Sequence, residues 1–272
     1  MTKLSDISSL LIDMDGVLYR GDSPMPRLRE FIDFLRQRSI SFMMVTNNST
    51  RTPEQYADKL ARMGVEIAPA EVLTSGQATA RFLTRDHPPG TRVHVFGQDS
   101  LRQAVEMEGF VVADEEVAAV VASMDRAVTY EKLERATRLI RGGARFVATN
   151  LDPTSPGEHG LRPGTGSLIA ALATASETKP VAVGKPEPTM FELALEVMGA
   201  QAETTAMLGD RVDTDLVGGR RAGCRTIGVL SGSSSRAEVE AFEPDFIFED
   251  IAGLLDAWQS EIECGAGAGR RG

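Results

Sequence analysis

The segment SLLIDMDGVL, residues 9–18, decides how the rest of the chain is read. Ser9 to Met14 is a short apolar run that ends in acidic residues and Gly16, the pattern of a buried strand in a parallel sheet. Asp13 and Asp15 stand at its C-terminal end, where ligands bind in open α/β sheets. On a continuing strand two carboxylates separated by one residue face the same way, at a like-charge cost that invites a cation. A hard, oxygen-preferring ion such as Mg2+ suits such a pair, because it takes one or two carboxylates and completes its octahedron with phosphate and water. Alone, an acidic pair near a strand end is weak evidence, since such pairs are common on surfaces.

A strand-then-helix rhythm continues outward. A turn with Pro24 and Pro26 precedes a helix expected near Arg27–Arg38, with Leu28, Phe31, Ile32 and Leu35 on one face. Ser41–Val45 reads as the next strand and leads into Thr46, Asn47 and Asn48. The following helix has Thr52 as cap, Pro53 in first position and Gln55 closing a capping box, and Gly64 stops it. In the middle third, Arg92–Phe96, Val117–Ala122 and Arg145–Ala148 read as strands and Tyr130–Arg141 as a helix. A loop rich in Pro and Gly is expected from Asn150 to Gly166, before a helix at Ser167–Ala175. Strand character returns at Val181–Val183, Thr204–Leu208 and Thr226–Leu230. This alternation predicts an α/β fold, a doubly wound parallel sheet of Rossmann-like type with helices on both faces and a second, smaller α/β unit.

Bulk properties narrow the partners. The 272 residues are 42% apolar and 25% charged, as in ordinary globular proteins, with a net charge of −10. That charge disfavours a nucleic acid polymer, which needs a basic stripe, but not a small anionic metabolite held by a local cation. No run approaches the roughly 20 apolar residues of a membrane span, so no membrane partner is expected. The opening MTKLSDISSL has no charged-then-apolar leader pattern. Cys224 and Cys264 lie outside any metal-ligand spacing and suggest no disulfide framework, which fits a reducing cytoplasm; Cys224 reads as a small buried residue. A homodimer is compatible with the sequence and not required by it.

Three more segments sit just past predicted strands. Thr46-Asn47-Asn48 offers hydroxyl, amide and backbone donors that suit a phosphate or a tight turn equally well. Gly184-Lys185-Pro186 places a lysine before the helix beginning near Pro188. Gly209-Asp210-Arg211-Val212-Asp213-Thr214-Asp215 packs three acids before a Gly-rich helix start, where acids also serve as caps. Together the four segments could line one crevice and supply a carboxylate nucleophile, a second carboxylate, phosphate donors, a cation and a further metal ligand. Phosphoryl transfer to a carboxylate requires that inventory.

With those residues in view, the chain resembles the haloacid dehalogenase superfamily of phosphatases. DMDGVL at 13–18, VTNNST at 45–50, GKPEPTMFE at 184–192 and GDRVDTDLVGG at 209–219 look like its four motifs. The stretches AVTYEKLERATRLIRGGARFVATNLD and PGTGSL are similar to its NagD-like branch, which includes p-nitrophenyl phosphate, nucleotide, pyridoxal phosphate and phosphoglycolate phosphatases. That branch inserts a large α/β cap between motifs two and three. The resemblance therefore implies a catalytic core at 1–78 and 180–264, a cap at 79–179 and a flexible tail at 265–272, with hinges near Ser75–Ala80 and Thr178–Val183.

The resemblance also assigns roles. It implies that Asp13 attacks phosphorus to give an aspartyl-phosphate and also ligates Mg2+. Asp15 serves as general acid then base, with its backbone carbonyl on the metal. Thr46, Asn47 and the backbone at Asn48 hold phosphoryl oxygens, and Lys185 offsets charge. Asp210 completes the protein's metal ligands, Asp215 orients metal-bound water or Lys185 from outside the ligand set, and Asp213 is expected to be a helix cap. The activity implied is Mg2+-dependent hydrolysis of small phosphomonoesters: sugar phosphates, nucleotides, phosphoglycolate or p-nitrophenyl phosphate. The alternative kept open is a non-catalytic Mg2+- or phosphate-binding protein on the same fold.

Other chemistries lack their residues. The only GxGxxG string, Gly267–Gly272, is terminal, and no GxxxxGK[ST] occurs. His87, His94 and His159 have no ligand spacing. Substrate choice is expected to lie in the cap loop Asn150–Gly166, with Asn150, Ser155, His159 and Arg162 as candidate contacts. The loop has no aromatic residue to stack on a base, and pyridoxal phosphatases of the family carry a histidine where Ser155 stands, which disfavours that activity.

Overall fold

The computed structural model describes residues 3–157 and 160–268. The chain divides into two compact units: 3–45, 54–72 and 191–268 form one, and 46–53 and 73–190 the other.

The first unit opens with β1 (Ser9–Ile12), buried at all four positions as its apolar run requires. A short hairpin, β2 (Tyr19–Arg20) and β3 (Ser23–Pro24), leads into α1 (Leu28–Gln37). β4 (Ser41–Thr46), α2 (Pro53–Arg62) and β5 (Val72–Thr74) follow. After the second unit's segment the chain continues through α7 (Pro188–Met198), β13 (Thr205–Gly209), α8 (Val217–Arg221), β14 (Arg225–Val229), α9 (Arg236–Phe242), β15 (Phe246–Phe248) and α10 (Ile251–Ala268). The sheet order is β15-β14-β13-β1-β4-β5, with β1 between parallel partners. Ile12 pairs with Leu208 on one side and Met44 on the other, so the chain ends beyond them carry Asp13, Asp210 and Thr46. That is the placement expected of loops at the C-terminal edge of an open sheet.

Helix α1 follows from its spacing: Leu28, Phe31, Ile32 and Leu35 are all buried, with Phe34 beside them. Phe34 meets Trp258 of α10 edge-to-face, with ring centroids 5.7 Å apart at 60°. Glu261 of the same helix accepts hydrogen bonds from the backbone of Leu4 (3.1 Å) and Ser5 (2.9 Å), fastening the chain's start to α10. The segment 265–272, expected to be a loose tail, is helical through Ala268; residues 269–272 lie outside the described ones.

The second unit contains α3 (Ser75–Thr84), β6 (Arg92–Phe96), α4 (Asp99–Met107), β7 (Val111–Val112), β8 (Ala119–Ala122), α5 (Tyr130–Arg141) and β9 (Arg145–Ala148). A hairpin of β10 (Thr154–Gly157) and β11 (Gly160–Pro163), then α6 (Thr165–Ser176) and β12 (Val181–Ala182), complete it. Its parallel sheet runs β12-β9-β8-β6-β7. Phe96, Val120, Ala136, Ile140, Phe146, Ile169 and Leu172 form its core.

Three expectations change here. The segment Asn150–Gly166 contains an antiparallel hairpin, with Ser155 opposite Arg162 and Gly160 at φ 108° beside the turn. Ser75–Ala80, expected near a hinge, forms the first turns of α3, where Thr74 and Gln77 close a capping box. Val181–Ala182, read as strand and lying within the other expected hinge, is a strand paired with β9, as its apolar run required. The compact unit is also wider than 79–179, because side-chain bonds sew 46–53 into it. Ser75 Oγ donates to the Asn47 carbonyl (2.7 Å), Ser100 Oγ to the Ser49 carbonyl (2.5 Å), and Ser49 pairs with the buried Ser123 hydroxyl. No helix of the described residues is long and apolar enough to cross a membrane.

Candidate active site

In the first unit, three carboxylates converge. Asp13, Asp210 and Asp215 each offer an oxygen within 4.8 Å of the others. Asp13 is half-buried, directly after β1, with its N–H donated to the Leu208 carbonyl of β13 (2.9 Å). Asp210 and Asp215 are each only 1% exposed. Asp210 Oδ2 accepts from the Ser233 N–H (2.6 Å), and Asp215 Oδ2 from the Arg211 N–H (3.1 Å). Asp215 reaches inward because residues Val212–Leu216 form a single π-helical turn, with the Leu216 N–H bonded to the Arg211 carbonyl at 3.2 Å. Such insertions re-aim side chains and gather at functional sites.

The space around these acids is kept by glycines. A Cβ on Gly232 would lie 1.9 Å from Asp210 Oδ2, one on Gly16 would lie 2.6 Å from the same atom, and one on Gly209 would lie 2.3 Å from the Asp215 Cβ. Gly16 additionally holds φ 94°. Three carboxylates so close repel one another unless a cation sits among them. An all-oxygen donor set of this charge suits a hard divalent ion, so the residues present fit Mg2+.

The second carboxylate of the D-x-D pair behaves differently from the expectation. β1 ends at Ile12 and the chain turns back, with Gly16 N–H donating to the Tyr19 carbonyl (2.7 Å), so strand alternation does not carry on to Asp15. Its exposed side chain does not join the carboxylate cluster; Asp215 does, although it was expected to act from outside the ligand set. Asp213 is not a cap. It is exposed and forms a two-pronged ion pair with Arg211, at 2.8 and 3.2 Å.

In the second unit, Thr46 is buried at the end of β4, and its Oγ accepts from the Asn48 N–H (3.2 Å), leaving the hydroxyl proton to be donated. The Asn48 Oδ1 is taken by Thr50, whose N–H (2.9 Å) and hydroxyl (2.8 Å) both donate to it. Asn47 Nδ2 donates to Asp152 Oδ2 (3.1 Å) and to the Lys185 carbonyl (2.8 Å). Lys185 is 3% exposed. Asn150, expected to contact a leaving group, is buried instead and donates to the Asn47 carbonyl (2.7 Å). Arg162 and Ser155 face each other on the hairpin, Nε to Oγ at 3.2 Å. His159 lies outside the described residues.

Two contributors escaped the sequence reading. The run SGSSS at 231–235 follows β14 and supplies the Ser233 donor, Gly232, and Ser231 Oγ bonded to the Gly16 carbonyl (2.7 Å). Its signal was present: small and hydroxyl residues just past a buried strand. Asp152 also escaped notice, although it sits beside Asn150 in the quoted motif. Burial, with the charge of Glu203 adding, pushes the Cys224 thiol up to about 12, as suits an inert packed residue.

Comparison with known proteins identifies the family. A family model described as haloacid dehalogenase-like hydrolase matches residues 10–111, and a second, HAD-hydrolase-like, matches 182–254. The acid sugar phosphatase of Staphylococcus saprophyticus is 38% identical over 251 residues, covering 91% of this chain and 96% of that protein. The 4-nitrophenylphosphatase of Thermotoga maritima superposes with a TM-score of 0.89 at 34% identity, over 94% of this chain and 98% of its own. The glycerol phosphate phosphatase of Mycobacterium tuberculosis, solved in complex with magnesium, gives 0.85 at 33%, over 92% of this chain and 76% of its own.

Proposed function

The chain belongs to the haloacid dehalogenase-like hydrolases, and from that premise we propose that Asp13 is the nucleophile of a sugar-phosphate phosphatase. The enzyme is a Mg2+-dependent phosphoric monoester hydrolase acting on small phosphoesters. What carries the nucleophile assignment is the carboxylate of Asp13 at the end of the central strand, gathered with Asp210 and Asp215. Bound among those three, Mg2+ supplies positive charge against the phosphoryl oxygens.

The chain's own residues do the rest. An Asp13 oxygen forms a bond to phosphorus as the ester P–O bond breaks, and Asp15 gives its proton to the departing oxygen. Asp15, now ionised and in reach of solvent, takes a proton from water as the water oxygen bonds to phosphorus. The Asp13–phosphorus bond then breaks and inorganic phosphate leaves. The Thr46 hydroxyl and the backbone N–H of Asn47 hold phosphoryl oxygens, the Asn48 N–H steadies Thr46 Oγ, and the Lys185 ammonium offsets the charge.

A sugar phosphate is favoured over a nucleotide because the hairpin strands, TSPG and GLRP, carry no aromatic ring for a base. A panel of phosphorylated sugars, glycerol phosphate and nucleotides, assayed for phosphate release, tests this. Sugar phosphates should turn over fastest, activity should vanish with EDTA and return with Mg2+, and nucleotides as best substrates would sink the substrate class. Full turnover in EDTA would remove the metal's role.

A further inference from the structure

Asn47 was expected to bind phosphate, and its hydrogen bonds point elsewhere. Its two amide protons go to Asp152 Oδ2 (3.1 Å) and to the Lys185 carbonyl (2.8 Å). Both partners are acceptors, so turning the amide over would aim Oδ1 at a carboxylate and a carbonyl. The orientation is therefore dictated by chemistry. Oδ1 is buried and lies 2.6 Å from where a Cβ on Gly184 would stand, so glycine at 184 is what lets the amide sit there. A side chain with both protons so committed has none left for a phosphoryl oxygen.

The same residue gathers the hairpin. The Asn47 carbonyl accepts from Ser75 Oγ and from Asn150 Nδ2, both at 2.7 Å. Asn150 Oδ1 in turn accepts the Asp152 N–H (3.1 Å). From there the Asp152 carbonyl takes the Gly166 N–H (2.8 Å), and the Pro153 carbonyl takes the Gly164 N–H (2.8 Å) and the Ser167 hydroxyl (2.9 Å). Both ends of the Thr154–Pro163 hairpin are thus tied, within three residues, to the amide that also holds the main chain of Lys185. The bond to Asp152 is charge-assisted and is the stronger kind.

We infer that the side chain of Asn47 is a positioning group, paired with Asp152, that sets the main chain of Lys185 and anchors the substrate hairpin rather than contacting phosphate. This rests on the phosphatase reading above for its catalytic consequence, and on geometry alone for its structural one. If it holds, Asn47 and Asp152 act as a unit, so losing either undoes the same arrangement and losing both adds little.

The test uses the full chain with Mg2+ and p-nitrophenyl phosphate. Asn47→Ala and Asp152→Ala should each lower kcat, by up to about 10²-fold as misplaced catalytic groups do. The double variant should lose no more than about threefold beyond the worse single one. The inhibition constant of inorganic phosphate should stay within about threefold in all three. Hydrogen exchange, read without turnover, should quicken in 150–153 and 164–166 in Asn47→Ala. Asn47→Ser, smaller in its disturbance, replaces Asn47→Ala throughout should the latter not fold. Multiplying losses overturn the inference, as does phosphate inhibition weakened tenfold in the Asn47 variant alone, or exchange left unchanged. Wild-type protein without turnover would sink the phosphatase reading instead, while the exchange result would still decide this one.

Discussion

The two units hold their polar groups in opposite ways. In the first, Asp13, Asp210 and Asp215 are packed against one another with glycines 16, 209 and 232 keeping side chains out, so like charges are held in close quarters. In the second, the amides of Asn47 and Asn150, the hydroxyls of Ser49, Ser75, Ser123 and Thr149, and the Asp152 carboxylate hydrogen-bond to one another, with the buried Asn47 Oδ1 left without a partner among the described residues. The first arrangement is completed from outside, by a cation. The second is completed from within, and its members are coupled. A charged cluster should therefore fail through the loss of single charges, while a shared network should lose the same arrangement whichever member is removed.

The largest expected effect tests the charged half. Asp13→Asn replaces a carboxylate oxygen with an amide, a poor nucleophile, at a site kept by its backbone bond to Leu208. Turnover should fall by about 10³-fold or more, together with covalent uptake of labelled phosphate. A variant keeping a tenth of wild-type kcat would require another nucleophile.

Asp15→Asn should come next, with a loss of about 10²- to 10⁴-fold on alkyl phosphates. The loss should shrink for p-nitrophenyl phosphate, whose leaving group needs little protonation. Equal losses on both esters would mean that Asp15 does not deliver the leaving group's proton. The contrast with Asp13 matters because the two acids separate physically: Asp13 belongs to the cluster and Asp15 is exposed.

Gly232→Ala sharpens the comparison without touching a charge. Its Cβ would overlap Asp210 Oδ2, the atom that accepts the Ser233 N–H, so Asp210 must shift. Affinity for Mg2+ should weaken about 10- to 100-fold, measured by calorimetry, with activity recovering at high Mg2+. Unchanged affinity would show that Asp210 is not a ligand.

The difference between the halves also explains what the sequence could convey. Buried strands such as Arg92–Phe96 and Arg145–Ala148 announce themselves by apolar runs, and the acids after β1 and β13 are conspicuous because charge is rare beside such runs. The position of Asp215 depended on a π-helical turn, for which VDTDL carries no periodic signal. Asp15 was misread because a two-residue alternation was extended past Ile12, where the strand stops. The fastening of Asn47 to Asp152 joins residues 105 apart in sequence, and no local pattern states such a pairing. The hairpin at 154–163 was taken for a loop because Pro and Gly dominate it, although such residues also border edge strands and their turns.

The smallest effect is expected at that hairpin, where Arg162 is exposed and held to Ser155 by one bond of 3.2 Å. Arg162→Ala should leave stability within about 0.5 kcal/mol, since an exposed contact of this kind contributes little. Turnover of p-nitrophenyl phosphate, which carries no anionic group besides its phosphate, should stay within about twofold. A substrate bearing a second anionic group should lose kcat/KM by about fivefold, the worth of one exposed charge pair near 1 kcal/mol. The two substrates make the measurement self-controlled. If both fall equally, the substitution has disturbed the hairpin's anchoring, and the network of the second unit extends further than its hydrogen bonds indicate. If neither falls, Arg162 faces solvent during turnover, and the discrimination among leaving groups has to come from residues away from this strand. A loss confined to the substrate with the second anionic group would place a specificity contact on the hairpin of the second unit, with the chemistry resting on the carboxylates of the first.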